Sequence, residues 1–284
     1  MNAKQRLAVF LAIAFVCVVA TMVVAPRPIP QDQNYHHFAD RRTVLGIPNF
    51  GNTASSIIFI LAGFAGLAAL RRPRFEPLAV LSIGAMLTGI GSAIYHWKPS
   101  DGLLVFDRLG MVIAFAAFIA ALMTHFDIAG ARAALPILLV AGISSVMWWV
   151  YAGDLRPYGI FQGFPVVLFV IGSVVFPHVY KRHAVLWLIA MGYVLAKVCE
   201  SLDQQIYDIG GFVSGHTLKH LIAGVSLWMT IDWLKRQRQT ETAVLEPSDV
   251  KAAQAAIASR NPIANNDRPT NQASGSIVSG NAQS

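Results

Sequence analysis

Long runs of apolar residues alternate with short polar segments along almost the whole chain. A helix needs about 20 mostly apolar residues to cross the ~30 Å hydrocarbon core of a bilayer. Eight runs meet or approach that length, at about 7–25, 52–70, 78–97, 104–124, 133–151, 163–178, 184–201 and 212–234. The first, RLAVFLAIAFVCVVATMVVAP, follows Lys4 and Arg6 as a signal peptide would. Its apolar run is longer than a signal core, and Pro26 would directly follow the candidate cleavage site VVA, so an uncleaved anchor is expected over 1–26. Residues 27–239 then form a seven-helix membrane domain. From Thr240 onward Ala, Asn, Ser and Gln replace the apolar runs, and such a segment cannot bury enough surface to pack, so 240–284 is expected to be a disordered tail. The fold class is all-α: a polytopic membrane helical bundle of seven helices plus one extra N-terminal helix.

The charges agree with this pattern and orient it. Lys4 with Arg6, RRPR at 71–74, Arg132, KRH at 181–183 and KRQR at 235–238 fall at alternating ends of successive runs. With eight spans they all lie on one side, which the positive-inside rule makes the cytosol, together with both termini. The expected location is a multi-pass protein of a bacterial inner membrane. Composition supports it: 55% of residues are hydrophobic and only 13% charged, against roughly 25% charged in soluble domains. The formal charge of +7 sits in short clusters between apolar runs, so nucleic acid is not an expected partner. Cys17 and Cys199 both lie in apolar runs and suggest no disulfide framework.

Against this background the intramembrane polar residues stand out, since each ionisable one costs about 2.5–3.5 kcal/mol at a helix centre. Ser92 and His96 lie four apart near the end of the third run, Asp107 and Arg108 near the start of the fourth, and His216 and His220 near the start of the eighth. The topology places all of them near the non-cytosolic face at similar depth. Singly, each has an ordinary reading: a histidine bridging two helices, an Asp107–Arg108 ion pair, a small serine for close packing. Together they suggest a metal. Residues four apart on a helix share a face, so His216 and His220 can chelate one ion, and His96 supplies a third ligand. Three histidines leave a tetrahedral position open for water, the pattern of a catalytic zinc site; iron, copper and nickel remain compatible with imidazole. His36 and His37, in the first outer loop, could line the mouth of such a site, whereas His125, His178 and His183 belong to the cytosolic side.

GSAIYHWKPSDGLLVFDRLGM together with SGHTLKHL resembles the alkaline ceramidases and the wider CREST superfamily of membrane hydrolases, which includes the progestin and adiponectin receptors. The shared pattern is Ser and His on one helix, Asp opening the next and H-x3-H on the last, and NFGNTASS at 49–56 is similar to the N-x-x-S-N region with Ser56 in place of the final Asn. The resemblance covers roughly 35–235 and implies a seven-helix core. It further implies a Zn2+ held by His96, His216 and His220, Asp107 to orient and deprotonate the attacking water, and Ser92 to help stabilise the oxyanion. The implied reaction is hydrolysis of the amide bond of ceramide-like N-acyl lipids, so the expected partner is a membrane lipid substrate. The eukaryotic members carry an acidic calcium-binding segment before the first core helix. Here DQNYHHFADRRTVLGIPNF is not similar to it, which makes calcium doubtful.

Two segments on the same face remain open in role. In YAGDLRPYGIFQG (151–163), Arg156, Tyr158 and Gln162 either bind a polar head group or belong to an ordinary interfacial loop. In AKVCESLDQQIYD (196–208), Glu200 or Asp203 either orients a metal-bound histidine or, for Glu200, pairs with Lys197 or Lys219. The functional alternative to a hydrolase is a metal-containing seven-helix receptor of the adiponectin-receptor type.

Overall fold

A computed structural model describes residues 1–70, 76–176 and 184–260. The basic clusters at 71–74 and 181–183, His178, and the tail beyond 260 lie outside the described residues. Ten α-helices follow in order: α1 (Ala3–Val24), α2 (Phe50–Ser55), α3 (Ile57–Ala68), α4 (Pro77–Trp97), α5 (Asp101–His125), α6 (Ala131–Ala152), α7 (Arg156–Val175), α8 (Ala184–Ser201), α9 (Asp203–Gly210) and α10 (Gly215–Arg260). Among the described residues the only β pairing is an isolated bridge between Val44 and Ile47.

Among the described residues seven helical segments are long and apolar enough to cross a membrane, counting α2 and α3 as one and the rest as α1 and α4 to α8. The protein is therefore a multi-pass membrane protein. The eighth expected span, the first part of α10, is not among them. His216, Lys219, His220 and Asp232 sit within it and dilute its hydropathy, so the polar groups that make this segment interesting also weaken its membrane signal.

Three boundaries differ from the sequence expectation. The second span is broken at Ser56, whose hydroxyl bonds back to the Asn52 carbonyl at 3.0 Å and across to Ser92 Oγ at 3.0 Å. The segment read as a loop over 151–163 is mostly the first turns of α7. Pro157 in the first turn is pre-organised for a helix start, and Asp154 Oδ1 accepts the Arg156 N–H at 3.1 Å. Finally, α10 continues to Arg260, past the expected end of the eighth run at 234. KAAQAAIASR is rich in strong helix formers, and propensity sustains a helix where composition rules out a packed core. The chain divides into two compact units, Met1–Gln237 and Arg238–Ser284.

Within the first unit α4 is the most enclosed span, 67% buried, with α5 next at 50%. Their close packing depends on absent side chains. A Cβ on Gly91 would lie 2.5 Å from the carbonyl of Phe106 and 2.7 Å from the backbone nitrogen of Asp107. Because those neighbours are backbone, they cannot rotate away. Gly91→Ala is expected to cost about 1–3 kcal/mol, the usual range for overpacking, read as a lower unfolding temperature in detergent. It should also impair the site, since Ser92 and Asp107 flank the contact.

The extra helix α1 is only 6% buried and packs through Phe10, whose ring meets Phe164 of α7 edge-on at 5.3 Å. A strap, 26–49, then leads across to α2. It is fastened to the start of α7: the Ile29 N–H donates to Asp154 Oδ1 at 3.2 Å and the Leu155 N–H to the Ile29 carbonyl at 2.8 Å. The Arg156 guanidinium beside Asp154, 2.8 Å away, holds that carboxyl down at about 2. A depressed carboxyl contributes stability above its ordinary value near 4 and loses it only as pH falls toward 2, so this fastening holds throughout the physiological range.

Candidate metal centre and its cavity

Three histidines from two helices meet in the enclosed layer beneath the strap. His96 ends α4, and His216 and His220 occupy successive turns at the start of α10. They are 0, 4 and 3% exposed, and one ring nitrogen from each lies within 4.8 Å of the others. Glycine makes this meeting possible. Gly215, at the first position of α10, lies so close to the Cys199 carbonyl and the Asp203 backbone that a Cβ would collide with them. Asp203 fixes the helix start further, its Oδ1 accepting the His216 N–H at 2.7 Å and its Oδ2 the Ala39 N–H at 2.9 Å.

The ring nitrogens suit a metal. His220 Nδ1 lies 2.9 Å from Ser55 Oγ and 3.2 Å from the Asn52 carbonyl. Ser55 donates its own proton to that carbonyl at 3.1 Å, so His220 Nδ1 is the N–H donor and its Nε2 is left with a lone pair. His96 Nε2 stands 3.3 Å from His220 Nε2. Two nitrogens on a tetrahedral zinc at about 2.0–2.1 Å would be about 3.3 Å apart, so this edge needs no rearrangement to serve as a ligand pair. His216 Nε2 is buried with no hydrogen-bond partner, a costly state that a metal would relieve. His96 Nδ1 also lacks a partner, and its ring is positioned by packing instead: Phe38 and Tyr95 lie against it at 4.7 and 4.9 Å.

Next to the triad a cavity of about 520 Å³ runs down between α5, α7, α8 and α10. Ser92, Asp107 and His220 line it, with Tyr35 of the strap. Phe118, Phe169, Leu186 and Leu227 line the apolar remainder. Such a volume is of the size of a small-molecule site, and of the three histidines only His220 lines it. Asp107 is 7% exposed and Ser92 1%. An Asp107–Arg108 ion pair, the ordinary reading of these neighbours, is not among those the described residues form. Consecutive helical residues point about a quarter-turn apart, and Arg108 instead lies over the Trp149 ring at 4.1 Å and the Tyr158 ring at 4.8 Å.

A family profile described as Ceramidase matches residues 42–251, more than half of the chain. The chain belongs to the ceramidase family. Among curated proteins none matches it. Membership of the ceramidases implies a hydrolase acting on amide bonds and a lipid substrate. The matched region begins after α1 and most of the strap, so in this ceramidase α1, Tyr35 and Phe38 lie outside the matched portion.

The other candidate residues divide. Tyr158 and Gln162 line the cavity. Arg156 does not: it grips Asp154 and donates to the Ala25 carbonyl at 3.0 Å, so it fastens α7 to the end of α1 and the strap. Neither Glu200 nor Asp203 bonds a histidine ring. Glu200 accepts from Lys219 at 2.9 Å, from Lys197, and from the Tyr35 hydroxyl at 2.8 Å, which gives Lys219 its partner. Burial, with Glu200 adding to it, pushes the Tyr35 phenol well above its ordinary value, so it stays a donor. His36 pins the strap, its Nδ1 2.9 Å from the Tyr95 hydroxyl and its Nε2 3.0 Å from Asp101 Oδ1. Asn52, Ser55, Tyr35 and Phe38 were not singled out from sequence. Asn52 and Ser55 lie within NFGNTASS, a motif noticed without assigned roles, while the two strap aromatics give no periodic signal.

Proposed function

We propose that this protein is a zinc-dependent membrane amidohydrolase that cleaves ceramide-like N-acyl lipids into a sphingoid base and a fatty acid. The observation that carries the reading is the shared cavity: His220, Asp107 and Ser92 all line one lipid-sized, largely apolar space. His96, His216 and His220 would hold the metal. A zinc ion there supplies Lewis acidity, which polarises a carbonyl and brings the pKa of water down to about 7. Asp107, with no ion-pair partner among the described residues, takes the proton from the attacking water and passes it to the departing amine. Ser92, whose hydroxyl lies 3.0 Å from that of Ser56, would turn its O–H to the oxygen on which negative charge develops. Phe38 shields two histidines from water, its ring 4.7 Å from His96 and 5.1 Å from His216. Tyr158 and Gln162 contact the lipid head. Calcium has no part in the proposal, because Arg42 engages both Asp40 oxygens and backbone N–H groups engage both of Asp203. The site opens near the non-cytosolic face, with both termini in the cytosol.

Two experiments address this reading in turn. Purified full-length protein with its metal, given ceramides of defined chain length in detergent, is expected to release fatty acid and long-chain base in equal amounts. Absence of release from every N-acyl lipid would instead favour a receptor that binds without turnover. Second, Ser55→Ala removes one of the two acceptors of the His220 ring N–H. Metal affinity is expected to fall about tenfold, the low end of the usual 10–100-fold effect, because the Asn52 carbonyl remains; competition with a chromogenic chelator measures it.

A further inference from the structure

Arg108 is a permanently charged side chain, 6% exposed, placed one residue after Asp107 on a membrane-spanning helix. Its direct contacts leave part of its donor set unused, although the Asp107 carboxylate acts on it electrostatically. No carboxylate among the described residues forms an ion pair with it, Nη2 donates to the neutral amide oxygen of Gln31 at 2.5 Å, and Nη1 is buried with no hydrogen-bond partner. The Trp149 and Tyr158 rings at 4.1 and 4.8 Å fix the plane of the guanidinium and offset part of the cost of burying it, yet neither can accept its remaining N–H bonds. The other two cations on the cavity wall are accounted for, since Lys197 and Lys219 both bond Glu200. Arg108 lines the same cavity as Asp107 and Ser92, together with Gln31, Tyr158 and Gln162.

We propose that Arg108 is the anion-binding group of this cavity and takes an oxyanion, a phosphate or a carboxylate, carried by the lipid. A guanidinium presents paired N–H donors that match such groups. Resting on the hydrolase reading above, this has Arg108 take either the carboxylate of the released fatty acid or an acidic group on an N-acyl lipid that the site accepts beside neutral ones. Gln31 ties the guanidinium to the strap, so the recess is framed by α5, α6, α7 and the strap, and two of those contributors, Gln31 and Arg108, are joined directly.

The test measures binding to full-length protein in a neutral detergent, with dodecyl phosphate for the head-group source, dodecanoate for the product source and dodecanol as the neutral reference. Wild type is expected to bind at least one anion about tenfold or more tightly than dodecanol, the increment of a charged hydrogen bond. Arg108→Gln should bring the anion and the alcohol to similar affinity, while Arg108→Lys, which keeps the charge but loses the planar fork, falls between. The anion with the larger Arg108-dependent increment identifies the source. Anion and alcohol affinities that stand in the same ratio in wild type and Arg108→Gln would overturn the proposal and leave Arg108 as a clamp between helices. Because no turnover is needed, failure of hydrolysis would count against the enzyme reading alone, and loss of this selectivity in an active enzyme against Arg108 alone.

Discussion

His220→Ala is expected to abolish hydrolysis, lowering kcat/KM by about 10³-fold or more. The size follows from what is lost. A metal Lewis acid contributes several kcal/mol to the transition state, and each 1.4 kcal/mol is about tenfold in rate. His220 is the triad member that also lines the cavity, and it forms the 3.3 Å ligand edge with His96. Its removal leaves two ligands and an open gap under Phe59, whose ring meets the His220 ring at 5.6 Å. Metal analysis of the variant separates this cause from misfolding: the protein should remain monodisperse in detergent while its bound metal is lost. A His220→Ala protein that kept both metal and full turnover would remove the triad from the mechanism.

Asp107→Asn should have the next largest effect, with a different signature. The amide keeps the shape of the carboxylate but cannot accept a proton from water. A positioned general base contributes about 10²–10⁴-fold, so kcat is expected to fall by that factor. Metal content should be retained, because Asp107 is not among the three clustered ligand candidates. Metal analysis and steady-state kinetics on the same preparation check both halves. An Asp107→Asn enzyme with wild-type kcat would show that another group moves the proton.

The contrast between these residues and their supports explains what was legible in the sequence. His216 and His220 were readable because a four-residue spacing fixes a shared face, and because charge in a lipid-facing run is expensive enough to need a reason. His96 joined them through topology, since alternating basic clusters put three runs in register. Asp107 and Ser92 gained roles only through the resemblance to the ceramidases. The strap was not legible. Tyr35 and Phe38 lie in irregular chain, where no period records which way a side chain points, and their contacts with Glu200, His96 and His216 join residues more than fifty positions apart. The same limit hid the function of Arg156. In sequence it is a cation on the expected catalytic face, whereas in the fold its partner is two residues away and its other bond reaches the end of α1. The end of α10 was not legible either, since a polar composition argues against a core yet gives no reason for a helix to break.

One measurement bears on the central claim most directly: metal content and fatty acid release, determined on one preparation of the full-length protein before chelation, after it, and after zinc is restored. The account predicts about one metal ion per chain, loss of turnover in step with loss of metal, and recovery with zinc. Undiminished fatty acid release from protein stripped of all metal would contradict it.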